Sequence, residues 1–205
     1  MENRQTLRKT LRARRRALSP RQQQQAAQQL LRKLKQQPLF LRSQRVAFYL
    51  PNDGEIDPRP LIREAWRRGK HCYLPVLAPG SDNHLWFVRH TPTTPLQKNR
   101  FGIPEPKALH QHRFLAQQLD VVFLPLVGFD RQGGRMGMGG GFYDRSFAFK
   151  LASPSHKPYL VGLAHHCQQV DQLQLAHWDI PLSAIATDRE IIVPAARAIQ
   201  RDFFT

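Results

Sequence analysis

Near the N-terminus the apolar residues recur at helical spacing, whereas further along they gather into short runs that suit strands. Leu7, Leu11 and Leu18 stand four and seven residues apart, which predicts a helix from about Glu2 to Leu18 with arginines around one leucine stripe. Ser19 then offers an N-cap, Pro20 a first helical position and Gln22 the return partner of a capping box. The second predicted helix carries Ala26, Ala27, Leu30, Leu31 and Leu34 on one face and ends before Pro38. Its glutamines, Gln22 to Gln25, form the wet face.

From Arg45 the texture changes. Val46 to Leu50 is short and wholly apolar, as a strand buried on both faces requires, and the turn Pro51 to Gly54 follows. Pro58 opens a helix with Leu61, Ile62, Ala65 and Trp66 on one side and Gly69 at its end. Cys72 to Leu77 is the next strand, in which Pro75 points to an edge or a bulge. Together these make a β-α-β unit with parallel strands. Leu85 to Val88 is a further strand. A loop-rich stretch with turn signals at Pro92, Pro95, Gly102, Pro104 and Pro106 precedes the strongest strand, Asp120 to Val127. A glycine-dense segment comes directly after it. Then come a helix from about Phe142 to Leu151, a strand at Tyr159 to Ala164, and short strands at Ala184 to Thr187 and Ile191 to Val193.

This alternation predicts an α/β fold: an open, mainly parallel sheet flanked by helices in a Rossmann-like three-layer arrangement. The basic helical segment 1–37 packs on a core of 45–194, all within one domain, 1–205, as the length of 205 residues suggests. In such sheets the ligand site lies beyond the carboxyl ends of the strands.

Charge alters the picture because it is local. Residues 1–45 hold thirteen Lys or Arg against Glu2 alone, giving +12 of the net +16, while the other 160 residues carry eighteen basic and fourteen acidic side chains, giving +4. Such a block binds nucleic acid through counterion release, forms a solvated helix face, or lines a site for anionic small molecules; composition leaves all three open. No apolar run approaches the ~20 residues of a bilayer span, and the N-terminus has no secretory apolar region. Cys72 and Cys167 lack C-x-x-C spacing and sit in apolar, strand-like stretches, which predicts buried, reduced thiols in a cytoplasmic protein without a membrane partner. His165-His166-Cys167 reads as strand, where neighbours face opposite sides, and His110 and His112 fall in a polar loop; neither suggests zinc.

Gly133, Gly134, Gly137, Gly139, Gly140 and Gly141 place six glycines in nine positions between a predicted strand and a predicted helix. Glycine permits positive φ and close approach, so successive N–H groups can converge on an anion. The following helix N-terminus adds partial positive charge. Arg135 offers a fixed cation, Asp144 a carboxylate for Mg2+ and Tyr143 an aromatic wall. Neither common nucleotide signature fits. A P-loop starting at Gly134 needs Gly-Lys-Ser/Thr at 139–141, where three glycines stand, and G-x-G-x-x-G from Gly137 meets Phe142 in place of its last glycine. A sugar-phosphate-handling α/β enzyme and a nucleic-acid-binding α/β protein with a basic arm are the alternative readings.

The run Pro125 to Asp130, followed by Gly134-Arg-Met-Gly-Met-Gly-Gly-Gly-Phe-Tyr-Asp144-Arg145, resembles the signature of 5-formyltetrahydrofolate cyclo-ligases, also called 5,10-methenyltetrahydrofolate synthetases. The spaced basic residues of the first helix, Tyr49 to Ile56, Phe101 to Pro106 and His177 to Pro181 fall in the family's order. The resemblance implies ATP- and Mg2+-dependent closure of 5-formyltetrahydrofolate, with or without further glutamates, to 5,10-methenyltetrahydrofolate, ADP and phosphate. The formyl oxygen is phosphorylated and N10 attacks. It also implies a monomer with no specific nucleic-acid partner. Carried over by residue, it implies ATP contacts at Arg4, Arg8, Gly134, Arg135, Met136, Gly137, Met138, Gly139, Gly140, Gly141, Phe142 and Tyr143. Folate contacts fall on Arg8, Leu50, Glu55, Phe101 and Tyr143, Mg2+ on Asp144 and Asp179, and catalysis on Arg135 and Asp144. There are departures. Arg4 stands where many relatives have lysine, Gly140 where some have a loop lysine, and Met136 and Phe142 replace the commoner Leu and Tyr.

Overall fold

A computed structural model describes residues 3–80, 83–107, 113–152 and 157–195; His110 and His112 lie outside them. The N-terminal pattern folds as read, with trimmed ends. Helix α1 spans Arg4–Arg16, capped by Asn3, whose side chain accepts from Gln5 N at 3.0 Å. Helix α2 spans Pro20–Leu34 behind the expected capping box: Ser19 Oγ accepts from Gln22 N at 3.3 Å, and Gln22 Oε1 accepts from Ser19 N at 2.8 Å. Its buried face is Ala26, Ala27, Leu30 and Leu34. Pro38 both stops the preceding helix and starts α3, Pro38–Arg42, which inserts Leu39 and Phe40 into the core.

The strands are β1 (Arg45–Ala47), β2 (His71–Leu77), β3 (Leu85–His90), β4 (Leu96–Lys98), β5 (Pro104–Pro106), β6 (Arg113–Phe114), β7 (Val121–Pro125), β8 (Gly128–Phe129), β9 (Arg135–Met136), β10 (Tyr159–Ala164), β11 (Ala184–Thr187) and β12 (Ile191–Ile192). Helix α4 (Arg59–Arg67) links β1 to β2, and α5 (Phe142–Ser146) follows the glycine segment. One eight-stranded sheet runs β12-β11-β10-β7-β1-β2-β3-β6. Its five central strands, β11 to β2 in that order, are parallel, and antiparallel β12, β3 and β6 close its edges. The period-2 alternation of each strand divides its residues between two cores. Val46, Phe48, Phe123 and Val161 meet Leu30, Leu34 and Leu61 of α2 and α4 on one face, while Ala47, Val122, Leu124 and Leu160 meet Phe87 and Phe147 on the other. The order reverses at β1, whose chain continues to β2 on one side while β7 lies on the other, so the crevice beyond β1 and β7 is a topological switch point.

Local differences from the sequence reading have local causes. Pro75 sits in an interior strand, but β1 covers only His71–Tyr73, and Phe48 N bonds the Tyr73 carbonyl at 2.9 Å as the last contact. Pro75 faces the same side two residues later, past the end of β1, where no N–H is needed. The loop-rich stretch contains the hairpin β4–β5, with Gly102 at φ 74 in its turn. Helix α5 stops at Ser146 rather than near Leu151 because Phe147 leaves helical geometry (φ −114, ψ 18) to bury its ring; a 3-10 turn, Ala148–Lys150, follows. Cys167 lies on a 3-10 turn beyond β10, half-buried, whereas Cys72 is buried in β2. Burial raises both thiols, Cys72 to about 12, so neither is a ready nucleophile. Among the described residues no helix is long and apolar enough to cross a membrane, and no group of three or more His, Cys, Asp or Glu is placed to hold a metal.

Candidate active site

Helix α1 lies across the switch point and is fastened there by its arginines. Asp53, at φ 53 in the turn after β1, receives Arg12 Nε at 2.7 Å, Arg15 Nη2 at 2.8 Å, and Arg16. Burial works against this carboxylate, but the hydrogen bonds from Arg12, Arg15 and Arg16 outweigh it and hold its pKa near 2. Arg15, fully buried, also donates from Nη1 to Leu126 O at 3.0 Å, just past β7. Part of the N-terminal positive charge is therefore paired within the molecule. Arg4, Arg8, Arg12, Arg15 and Arg16 each reach a protein acceptor.

The glycine segment divides in two. Gly133 and Gly134 form the turn of the hairpin β8–β9, where Asp130 Oδ1 accepts from Gly134 N at 2.8 Å and a Cβ on Gly134 would lie 2.5 Å from Asp130 Oδ2. Met136 buries its side chain beside Leu11, Val127 and Leu173. Gly134 and Met136 thus stand apart from the open loop, which is Gly137 to Gly141. There two of the five carbonyls are taken by side chains: Arg8 Nε donates to Gly137 O at 2.9 Å, and Arg145 Nη1 and Asn83 Nδ2 donate to Gly140 O at 2.8 and 3.0 Å. The N–H groups from Met138 to Phe142 have no hydrogen-bond acceptor among the described residues. A loop whose N–H donors are free while two of its carbonyls are held by side chains suits an anion. Positive φ at Gly139 (100) and Gly141 (68) makes this backbone path accessible. Because α5 has only five residues, the loop N–H groups carry this effect rather than a helix dipole.

Beside the loop, Arg135 is buried and committed. Its Nε donates to Ile180 O at 3.0 Å, its Nη2 pairs with Asp144 Oδ1, and Ile180 N donates to the same oxygen at 3.2 Å. This ring of contacts brings the segment Asp179–Ile180 against Asp144. Asp179 Oδ2 accepts from Ala176 N at 2.8 Å and lies 3.4 Å from Arg4 Nη1, which also donates to Gln174 O at 3.2 Å. Asp144 Oδ2 and Asp179 Oδ1 have no partner among the described residues. Two carboxylates with one uncommitted oxygen each, next to an anion loop, fit Mg2+, which takes one or two protein carboxylates and completes its shell with phosphate and water.

Across the crevice, Glu55 is nearly buried, its side chain 12% exposed. Burial pushes its pKa up to about 7, opposed by Arg15 at 3.8 Å and by Asn52 N, which donates to Oε2 at 3.1 Å. Glu55 is close enough to Tyr143 of α5 to raise that phenol further, after burial. Leu50 ends the apolar run that begins in β1, half-buried against the larger core. Phe101 stands on the β4–β5 turn, 53% exposed, with its ring edge-on to Phe142 at 5.8 Å and the Arg100 guanidinium 5.0 Å above it. Glu105 anchors that hairpin by accepting from Leu77 N at 3.2 Å and Asn99 Nδ2 at 3.0 Å.

Comparison with known proteins gives the arrangement its family. The sequence model of the 5-formyltetrahydrofolate cyclo-ligase family matches residues 1–188. The chain belongs to that family. It is 44% identical over 182 residues to the 5-formyltetrahydrofolate cyclo-ligase of Escherichia coli K12, covering 88% of this chain and 98% of the relative. The Haemophilus influenzae cyclo-ligase is 44% identical over 186 residues, 88% of this chain and 95% of that one. The solved structure of Aquifex aeolicus 5,10-methenyltetrahydrofolate synthetase superposes with a TM-score of 0.78 at 30% identity, over 94% of this chain and 93% of that chain. As a cyclo-ligase family member the chain is a ligase-class enzyme. Of the residues singled out in the sequence, the fold gathers Arg4, Arg8, Gly137 to Asp144, Arg135 and Asp179 on one side of the crevice, with Glu55 near Tyr143 and Phe101 against Phe142, while Leu50 packs against the larger core. The sequence reading passed over Arg15 and Asp53, although Arg15 stands one turn after Leu11 on the apolar stripe, an odd place for an unpaired charge.

Proposed function

We propose that this chain closes 5-formyltetrahydrofolate to 5,10-methenyltetrahydrofolate with consumption of ATP in the presence of Mg2+, releasing ADP and phosphate. The observation that carries this reading is the loop Gly137–Gly141, its Gly137 and Gly140 carbonyls taken by Arg8, Arg145 and Asn83 and its Met138 to Gly141 donors free, set beside the Asp144–Asp179 pair and facing Glu55 across the crevice. ATP supplies a γ-phosphoryl group that makes the formyl oxygen a leaving group, so that N10 can close the ring. The protein's part is placement and charge. Arg4 and Arg8 meet phosphate oxygens, and the free loop N–H groups hold the chain of phosphates. Asp144 and Asp179 hold Mg2+. Arg135 acts by fixing Asp144 and Ile180, more than as a free cation. Glu55 accepts ring N–H groups of the folate between Leu50, Phe101 and Tyr143.

The test is methenyl absorbance after mixing purified protein, Mg-ATP and 5-formyltetrahydrofolate; no product at high enzyme concentration refutes the proposal. Asp144→Ala is a poor probe of the metal role, since it leaves Arg135 buried without its carboxylate, at a stability cost of about 3–5 kcal/mol. Asp144→Asn keeps the hydrogen bonds. We expect it to lower turnover by roughly 100-fold or more while shifting the Mg2+ dependence to higher concentration. An unchanged Mg2+ titration removes Asp144 from the metal site.

A further inference from the structure

Arg15 is the one arginine of α1 that is buried, and its guanidinium touches both walls of the crevice. Nε donates to Asp53 O at 2.8 Å and Nη2 to Asp53 Oδ2 at 2.8 Å, with Glu55 Oε1 3.8 Å away, all on the loop after β1. Nη1 donates to Leu126 O at 3.0 Å, where the chain leaves β7 toward the glycine loop. Among the described residues no other side chain hydrogen-bonds both of these loops. Gln168 reaches only the second, through Leu126 O at 2.6 Å and Val127 O at 3.0 Å. Arg12 and Arg16 reach only Asp53.

We propose that Arg15 is a positioning residue for the folate wall of the site: its guanidinium ties the loop after β1 to the end of β7 and fixes where the Glu55 carboxylate stands. This rests on the cyclo-ligase reading given above. A carboxylate that must meet adjacent N–H groups of an aminopyrimidinone ring tolerates little displacement, and about 1 Å of misplacement costs roughly 100-fold. The groups that face Glu55 are Asp53 on its own loop, Tyr49 two residues past β1, Tyr143 on α5 and Arg15 on α1. Arg15 supplies the positive charge among them. Losing it therefore moves the carboxyl in space and also raises its proton affinity, whereas ATP, held by the opposite wall, is little affected.

Two variants separate position from charge. Arg15→Gln keeps a donor and loses the charge; Arg15→Lys keeps the charge and loses the two-loop fork. Arg15→Gln is expected to raise the KM for 5-formyltetrahydrofolate by roughly 30- to 100-fold, with the KM for ATP changed less than about threefold. It should also move the acid limb of kcat/KM for the folate up by about one pH unit. Arg15→Lys should raise the folate KM by roughly 10-fold and leave the limb in place. In a Glu55→Gln background, Arg15→Gln should no longer move the limb. Arg16→Ala, which shares Asp53 but reaches neither Leu126 nor Glu55, should stay within about twofold of wild type. Two KM values that rise together, or a limb that does not move in Arg15→Gln, overturn the proposal. If Arg15→Gln does not fold, Arg15→Lys decides: unchanged folate KM overturns it. A wild-type chain that forms no methenyl product sinks the cyclo-ligase reading instead. Carbon-13 titration of the Glu55 carboxyl in wild type and Arg15→Gln then still decides: an unmoved titration overturns the proposal.

Discussion

Replacing Glu55 with glutamine converts the electrical strain at the crevice into a measurable pH dependence of stability. In the folded chain the Glu55 carboxyl titrates at about 7, against an ordinary value of 4.5, chiefly because burial penalises its charge. Between those two values the folded state holds a proton that the unfolded state has released, so stability falls as pH rises through the window. The gap of about 2.5 units corresponds to roughly 3 kcal/mol, absent below about pH 4.5 and fully expressed above about pH 7. With the side chain only 12% exposed, solvent screening removes little of this. Glutamine has similar shape and hydrogen-bonding capacity and no proton to lose. Glu55→Gln should therefore gain about 3 kcal/mol relative to wild type between about pH 4.5 and pH 8. Urea unfolding of both proteins at pH steps across that range gives the comparison. A difference in unfolding free energy that stays flat with pH refutes the reasoning. A gain accompanied by loss of folate turnover marks the charge as retained for binding at the expense of stability.

Asp53→Asn should destabilise by about 1–2 kcal/mol near neutral pH, because the carboxylate held near 2 stabilises above its unfolded value of 3.8 and loses that effect as pH falls toward 2; partly exposed Arg12 and Arg16 screen part of it. Urea unfolding in which the variant and wild type do not converge in acid contradicts this. Gly139→Ala meets nothing nearer than the Arg8 guanidinium at 3.7 Å, but φ is 100, so its effect is backbone strain of about 1–3 kcal/mol. The ATP dependence should weaken roughly 10-fold or more with the folate KM unchanged, and equal ATP affinity in the two proteins counts against the loop as a phosphate site.

Much of the architecture was legible because it follows from repeating local rules. The capping box at Ser19, the leucine stripes, and the apolar runs of β1, β7 and β10 each follow from one residue pattern, and the parallel sheet follows from their alternation. What escaped depends on contacts across the chain. Pro75 is tolerated because β1 ends early, and α5 is short because Phe147 is drawn into the core; neither fact is local to the residue concerned. In the site, the glycines announced an anion loop. They could not reveal that Gly133 and Gly134 serve a separate hairpin, since that depends on Asp130 lying beneath Gly134. Likewise composition left the role of the basic first helix open among three readings, and the partners of its arginines, Asp53, Leu126, Gly137 and Asp179, all lie far away in sequence.

That matching has a consequence for the order in which the molecule can assemble. Helix α1 precedes every strand in the chain, yet Arg8 waits for Gly137, 129 residues on, and Arg4 for Asp179, 175 residues on. Contacts of such separation form late, after nearer pairings have shortened the effective loop. The nearer ties of Arg12, Arg15 and Arg16 to Asp53, 41, 38 and 37 residues on, can hold the C-terminal half of α1 before its N-terminal half is placed. Docking of the N-terminal half of α1 is then a late closure of the fold, and it is also the moment at which Arg4 and Arg8 reach their places beside the glycine loop. A nascent or partly folded chain thus carries the glycine loop without a finished site, and competence arrives in one step with the completed structure.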